Sequence, residues 1–310
     1  MSKIEVRELS KDYGSNRGVF DISFSISKGE VYGFLGPNGA GKSTTIRHLM
    51  GFSKPDKGKT KILNEESFNN YDAFMENVGY LPGEIALPSG VTGYEFLMMM
   101  KEMKNMKDEN RLKHLLNLFE LNPYIETKRM SLGDKRKLAI VAAFMHDPEI
   151  LILDEPTSGL DLRMQQVFVD FIKKEKERGK TILLSSHIFS EIDRTCDRIA
   201  IIKEGKLVSE FLANDLKHKQ DKIYEIIFEK SEDKKKFIKS RNNQNWTVED
   251  KNDCAVRVFI NDFKINYLIA KLSKYSIADF KQHKETLEDY FMKYYKKDNG
   301  SEGDFNDRNK

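Results

Sequence analysis

Three short stretches of this chain are apolar at nearly every position instead of at every second one: Val31–Leu35, Ile150–Leu153 and Thr181–Ser185. Runs this short and unbroken belong to strands covered on both faces, as in the middle of a parallel sheet. Other segments carry helical spacing. Ile46, Leu49 and Met50 share one face of a helix beginning just after Gly41, and Leu138, Ile140, Val141 and Phe144 do so in a helix starting near Ser131. Phe96, Leu97, Met98, Met99, Met100, Met103 and Met106 predict a methionine-rich helix, suited to a core and also to an adaptable docking surface, with core the commoner use. Towards the end, Lys222–Glu229 and Cys254–Ile260 alternate like half-buried strands, and Ile265–Ser273 reads as a helix.

Composition divides the chain. All seven prolines precede residue 157 and 17 of the 19 glycines precede residue 216, so turn punctuation ends there. We expect one domain over residues 1–215, a second over 216–297 and a disordered tail over 298–310. The formal charge of +3 on 310 residues is nearly balanced, which gives no support to nucleic acid as a partner. The two cysteines form no disulfide framework or ligand cluster, and with no apolar signal pattern in Met1–Glu5 no export signal is expected. The longest apolar run, Leu138–Met145, has eight residues, against roughly 20 needed to span a bilayer. A soluble chain is expected, with any membrane role supplied through a partner.

Chemistry enters at residues 36–44. Gly36, Gly41, Lys42 and Ser43 satisfy G-x-x-x-x-G-K-[ST], and Pro37, Asn38, Gly39, Ala40 and Thr44 complete the loop. A strand precedes it and a helix follows, so its backbone amides and the helix N-terminus would surround phosphates. Lys42 would supply a point charge, and the Ser43 hydroxyl is placed to bind Mg²⁺. The pattern implies binding of a nucleoside triphosphate. Asp154 and Glu155 follow the apolar run 150–153, where one carboxylate can hold Mg²⁺ and the next can orient water. His187 stands at the end of the 181–185 strand, where a neutral imidazole can donate to a γ-phosphate.

These residues resemble the ATP-binding cassette (ABC) ATPases over about Ile4 to Asp215. The resemblance implies that Tyr13 stacks on adenine, that 36–44 is the Walker A loop, that Ile150–Glu155 is Walker B with its catalytic glutamate, that Ser158–Asp161 is the D-loop and that His187 is the switch histidine. Asp161 thereby joins the residues expected at the nucleotide. The implied fold is α/β: a RecA-like core with an N-terminal antiparallel β subdomain, a helical subdomain at about 83–145, and a small C-terminal α/β accessory domain. The family signature Leu-Ser-Gly-Gly-Gln appears as Met130-Ser131-Leu132-Gly133-Asp134, keeping Ser131 and Gly133, which touch the γ-phosphate of the opposite subunit. Asp134 replaces glutamine, completes a capping pattern with Ser131, and is expected to be offset by Lys135 and Arg136. After Val78–Pro82 the usual glutamine is replaced by Gly83, followed by Glu84; either Glu84 or water takes its place.

Glu285–Phe291 resembles the ending of ATPases of the ABC-2 exporter type. The reading is therefore an ATP-hydrolysing exporter subunit using ATP and Mg²⁺, peripheral on the inner face of the cell membrane. Its implied partners are separate permease subunits and a second ATPase subunit, an identical copy being favoured. The cargo would be a drug, antibiotic, peptide or ion. The rival is a cassette ATPase acting in translation, DNA or cofactor assembly; a single cassette without sustained heptads weighs against it.

Overall fold

The computed structural model describes residues 2–15, 17–217, 221–240, 246–261, 264–283 and 287–296. The chain divides into two compact units, Met1–Ala213 and Asn214–Lys310. In chain order the first contains β1 (Ser2–Asp12), β2 (Gly18–Ser27), β3 (Val31–Leu35), α1 (Lys42–Leu49), β4 (Lys57–Ile62), β5 (Glu65–Glu66), α2 (Asp72–Met75), β6 (Val78–Leu81), α3 (Gly93–Met103), α4 (Asn110–Leu118), α5 (Leu132–Phe144), β7 (Ile150–Asp154), α6 (Leu162–Glu177), β8 (Thr181–Ser186), α7 (Phe189–Thr195), β9 (Arg198–Lys203) and β10 (Lys206–Leu212).

The unbroken apolar runs become β3, β7 and β8, buried at every position. They lie side by side in a six-stranded sheet of order β10-β9-β3-β8-β7-β6, parallel except where β10 pairs with β9. A second sheet, β2-β1-β4-β5, is antiparallel. Its inward residues Ile4, Val6, Leu9, Ile22 and Phe24 share one core with Phe34, Ile46 and Leu183, so the two sheets clamp α1 and the loop before it. The α/β reading with an antiparallel N-terminal sheet holds, and helices α3, α4 and α5 occupy 93–144. Of the methionine-rich segment, Leu97 is buried, Met99 and Met103 are exposed, and Phe96 and Met100 line an apolar groove shared with Tyr80, Pro82 and Ala142.

After α8 (Ala213–Lys217), the second unit contains β11 (Asp221–Phe228), α9 (Ser231–Lys239), β12 (Trp246–Asp250), β13 (Ala255–Asn261), α10 (Ile265–Leu272), β14 (Ile277–His283) and α11 (Leu287–Lys296). Its sheet, β12-β13-β11-β14, is antiparallel throughout, which makes β11–β14 a split β-α-β-β-α-β unit. Ile226, Phe228, Val256 and Val258 pack under Phe237 of α9 and Leu268 of α10. Leu287 and Phe291 of α11 are buried, whereas Glu285, Thr286 and the expected tail 298–310 lie outside the described residues.

Candidate nucleotide-binding site

Three adjacent strand ends build the functional edge of the main sheet. β3 runs into the 36–41 loop, β7 into Glu155 and β8 into His187, and parallel register sets Leu35 beside Ser186 and Asp154 beside Ser185. Parallel sheets receive ligands at this edge. The loop depends on glycine: a Cβ on Gly36 would lie 2.6 Å from the Ile202 carbonyl oxygen, and Gly41 stands at φ +109°. Gly41 caps α1, so the loop opens directly onto a helix N-terminus and its unpaired amides. Pro37, Asn38, Gly39 and Ser43 are exposed, Thr44 is half-buried, and the buried Ala40 anchors the loop by accepting from the Gly205 amide at 2.9 Å.

Lys42 is 5% exposed. Its ammonium donates to the carbonyls of Gly36 (2.7 Å) and Pro37 (3.1 Å) and meets Glu155 Oε1 at 2.9 Å. The other Glu155 oxygen, Oε2, lies 2.6 Å from His187 Nδ1. Glu155 takes a left-handed backbone at φ +49°, which costs a non-glycine residue about 1 kcal/mol or more. Asp154, buried beside it, accepts from the Ser185 hydroxyl at 2.5 Å, and that same hydroxyl oxygen accepts from the Glu155 amide at 3.2 Å. One serine thus ties the Asp154 carboxylate to the Glu155 backbone, and Lys42, Asp154, Glu155 and His187 are brought together. Tyr13, exposed after β1, presents its ring with Lys11 Nζ 5.9 Å from the centroid.

The remaining expected residues sit elsewhere. Ser131 caps α5, accepting from the Asp134 amide at 3.1 Å while donating its own hydroxyl to Asp134 Oδ2 at 2.7 Å. A Cβ on Gly133 would lie 3.3 Å from the Gly159 carbonyl oxygen, so the signature turn abuts the D-loop of its own chain. Asp161 caps α6, accepting from the Met164 amide at 2.8 Å. Among the described residues no hydrogen bond or ion pair joins Ser131, Gly133 or Asp161 to Lys42, Asp154 or Glu155. At the departure after β6, Glu84 is exposed, and the residue against Asp154 is Gly83, whose added Cβ would meet Asp154 Oδ2 at 3.0 Å.

Arg136 corrects an expectation. It does not lie out beside Asp134: it is 3% exposed and donates to the carbonyls of Ser158 (2.9 Å), Pro82 (3.0 Å) and Gly83 (2.7 Å). Glu191 on α7 is a second buried charge-bearing group at the site's back, accepting from Ser186 (2.6 Å) and Thr157 (3.2 Å). Burial pushes its carboxyl up to about 7. Both were hidden in the sequence among ordinary helix charges, whereas Ser185, a hydroxyl ending an apolar strand, carried a visible signal. As for metal, Ser43 and Asp154 offer hard oxygen donors, and among the described residues no three His, Cys, Asp or Glu side chains converge on a site of their own. That set suits Mg²⁺, which takes few protein ligands and completes its shell with phosphate and water.

Residues 19–158 match the ABC transporter family. Over 301 residues the chain is 34% identical to the bacitracin transport ATP-binding protein BcrA of Bacillus licheniformis, a likeness covering 94% of this chain and 96% of that protein. The chain is a member of the ABC transporter ATP-binding proteins. Within them it is also 35% identical over 218 residues to the linearmycin resistance ATP-binding protein LnrL of Bacillus subtilis, covering 69% of this chain and 70% of that one. A solved ATP-binding subunit of an ABC transporter matches with a TM-score of 0.63 at 30% identity, over 70% of this chain and 92% of that chain. A dimeric bacterial ABC transporter cassette shares the fold at a TM-score of 0.62 and 23% identity, over 68% of this chain and 98% of that chain. The likeness to BcrA extends beyond the ABC cassette into the second unit; the others span about two thirds of the chain.

Proposed function

We propose that this ABC ATPase powers an exporter whose membrane-spanning parts are separate chains, with the cassette peripheral on the inner membrane face. Among the described residues no helix is long and apolar enough to cross a membrane. The full-length likeness to a bacitracin transport protein favours an antibiotic among the cargo classes, and the groove lined by Tyr80, Pro82, Phe96, Met100 and Ala142 offers an apolar seat for a permease segment.

The observation carrying the reading is the chain Lys42–Glu155–His187 beneath the phosphate loop. ATP phosphates entering the loop would take the amides of 36–41 and draw the Lys42 ammonium from Glu155, freeing that carboxylate to accept a proton from water as it attacks. His187 donates from Nδ1 to Glu155 and so fixes the carboxylate's orientation; a neutral imidazole has one N–H, so it would donate towards the γ-phosphate only after leaving Glu155. Ser43 and Asp154 would hold Mg²⁺, which neutralises charge on the β- and γ-phosphates. Tyr13 would stack on the adenine face. A second subunit would contribute Ser131 and Gly133, with Asp161 ordering the turn between them and Glu155. An identical copy is the simplest second subunit.

Lys42→Ala tests the site directly. Losing a buried cation hydrogen-bonded to phosphate should weaken ATP binding by about tenfold or more, read by titration of a fluorescent ATP analogue. Wild-type affinity in that variant contradicts the assignment. Co-purification of the chain with membrane subunits tests the exporter reading; recovery only with ribosomes or DNA favours the rival.

A further inference from the structure

Among the described residues Arg136 forms no ion pair with a carboxylate, its hydrogen bonds going to three backbone carbonyls, yet it is almost fully enclosed. Its three carbonyl partners come from two segments: Pro82 and Gly83 from the turn after β6, and Ser158 from the turn after Glu155. The side chain itself stands on α5, whose first turn carries Ser131 and whose later residues Ala139 and Ala142 line the apolar groove. Burial pulls the guanidinium below its ordinary value, while the charges of Asp154 and Glu155 pull it back up. Enclosing a cation is a costly way to fill space that apolar packing would fill better. A planar fork can hold three carbonyls at fixed angles, which a lysine cannot. The missing side chain at Gly83 lets that turn approach to within 3.0 Å of Asp154 Oδ2, measured from the position of an added Cβ.

We propose that Arg136 is a positioning residue for hydrolysis, the buried link through which α5 and the Pro82–Gly83 turn set the placement of Asp154 and Glu155. It supplies from α5 the tie to the catalytic strand that the side chain at position 83 does not. A shift of α5 or of the groove then reaches the two carboxylates through the guanidinium. The inference rests on the nucleotide-site reading above.

The test measures ATP affinity with a fluorescent analogue, steady-state kcat and KM, and melting temperature for the wild type, Arg136→Met, Arg136→Lys and Gly83→Ala. Among the described residues Arg136 hydrogen-bonds none of the phosphate loop. Arg136→Met should therefore lower kcat by about tenfold or more while leaving ATP affinity and KM within about threefold, a pattern of lost transition-state placement. Arg136→Lys, keeping the charge without the fork, should recover part of the rate. Gly83→Ala should slow the wild type but add little to Arg136→Met, because both act through the Gly83 turn. A wild-type kcat in Arg136→Met, fully additive effects, or losses of affinity and kcat that track lost folded protein overturn the inference. Should Arg136→Met fail to fold, a wild-type kcat in Arg136→Lys does the same. Absence of ATP binding by the wild type overturns the nucleotide-site reading and this inference with it.

Discussion

Ser131 has a single hydroxyl proton, and Asp134 takes it at 2.7 Å. To reach a phosphate on a second subunit, that hydroxyl must leave the carboxylate, and the carboxylate itself opposes the phosphate's charge. With Arg136 turned inward, Lys135 is the nearer offset in sequence. Asp134→Gln should therefore tighten ATP-dependent association on the order of tenfold, since two unit charges about 6 Å apart at an effective dielectric near 20 interact by roughly 3 kcal/mol before screening. Sedimentation with Mg·ATP measures it; weaker association in the variant contradicts the account. Lys42, Asp154, Glu155 and His187 were legible at this scale because their chemistry needs given residue types at given distances from strand ends. Arg136 and Glu191 were not, because what they do depends on which carbonyl or hydroxyl lies opposite, and only the folded chain decides that.

Elements differ in how openly the chain announces them. β3, β7 and β8 are central strands buried on both faces, so their apolar runs speak plainly. β12 and β14 are the two edges of the second sheet, and α9 is mostly lysine and acid around Phe237 and Ile238, so none has a strong apolar pattern. α7 buries Glu191 against the ends of β7 and β8. Its carboxyl, at about 7 instead of 4.5, keeps a proton in the folded chain that the unfolded chain gives up. Stability from this group therefore falls as pH rises from about 4.5 to about 7 and is level above that. Glu191→Gln should flatten the decline, so that the variant gains on the wild type between pH 5 and pH 8 by about 1–3 kcal/mol in denaturant unfolding. A wild-type slope in the variant would show that the proton is held elsewhere.

The whole molecule joins a cassette to a second α/β unit, and the loss of proline and glycine near residue 215 lies beside the boundary between Met1–Ala213 and Asn214–Lys310. The layout of the first followed from motif order, because strand–loop–helix motifs fix which sheet edge must carry them. The β-α-β-β-α-β order of the second did not, since two of its four strands are edge strands with weak patterns. At this scale Glu155 is expected to activate water for ATP hydrolysis between two closed cassettes. Glu155→Gln keeps the side chain's shape and removes the base. Purified with Mg·ATP, this variant should bind ATP, hydrolyse it about 10²-fold more slowly or worse, and elute as a dimer that the wild type forms only transiently. Turnover at the wild-type rate, or a variant that stays monomeric with ATP bound, would contradict it.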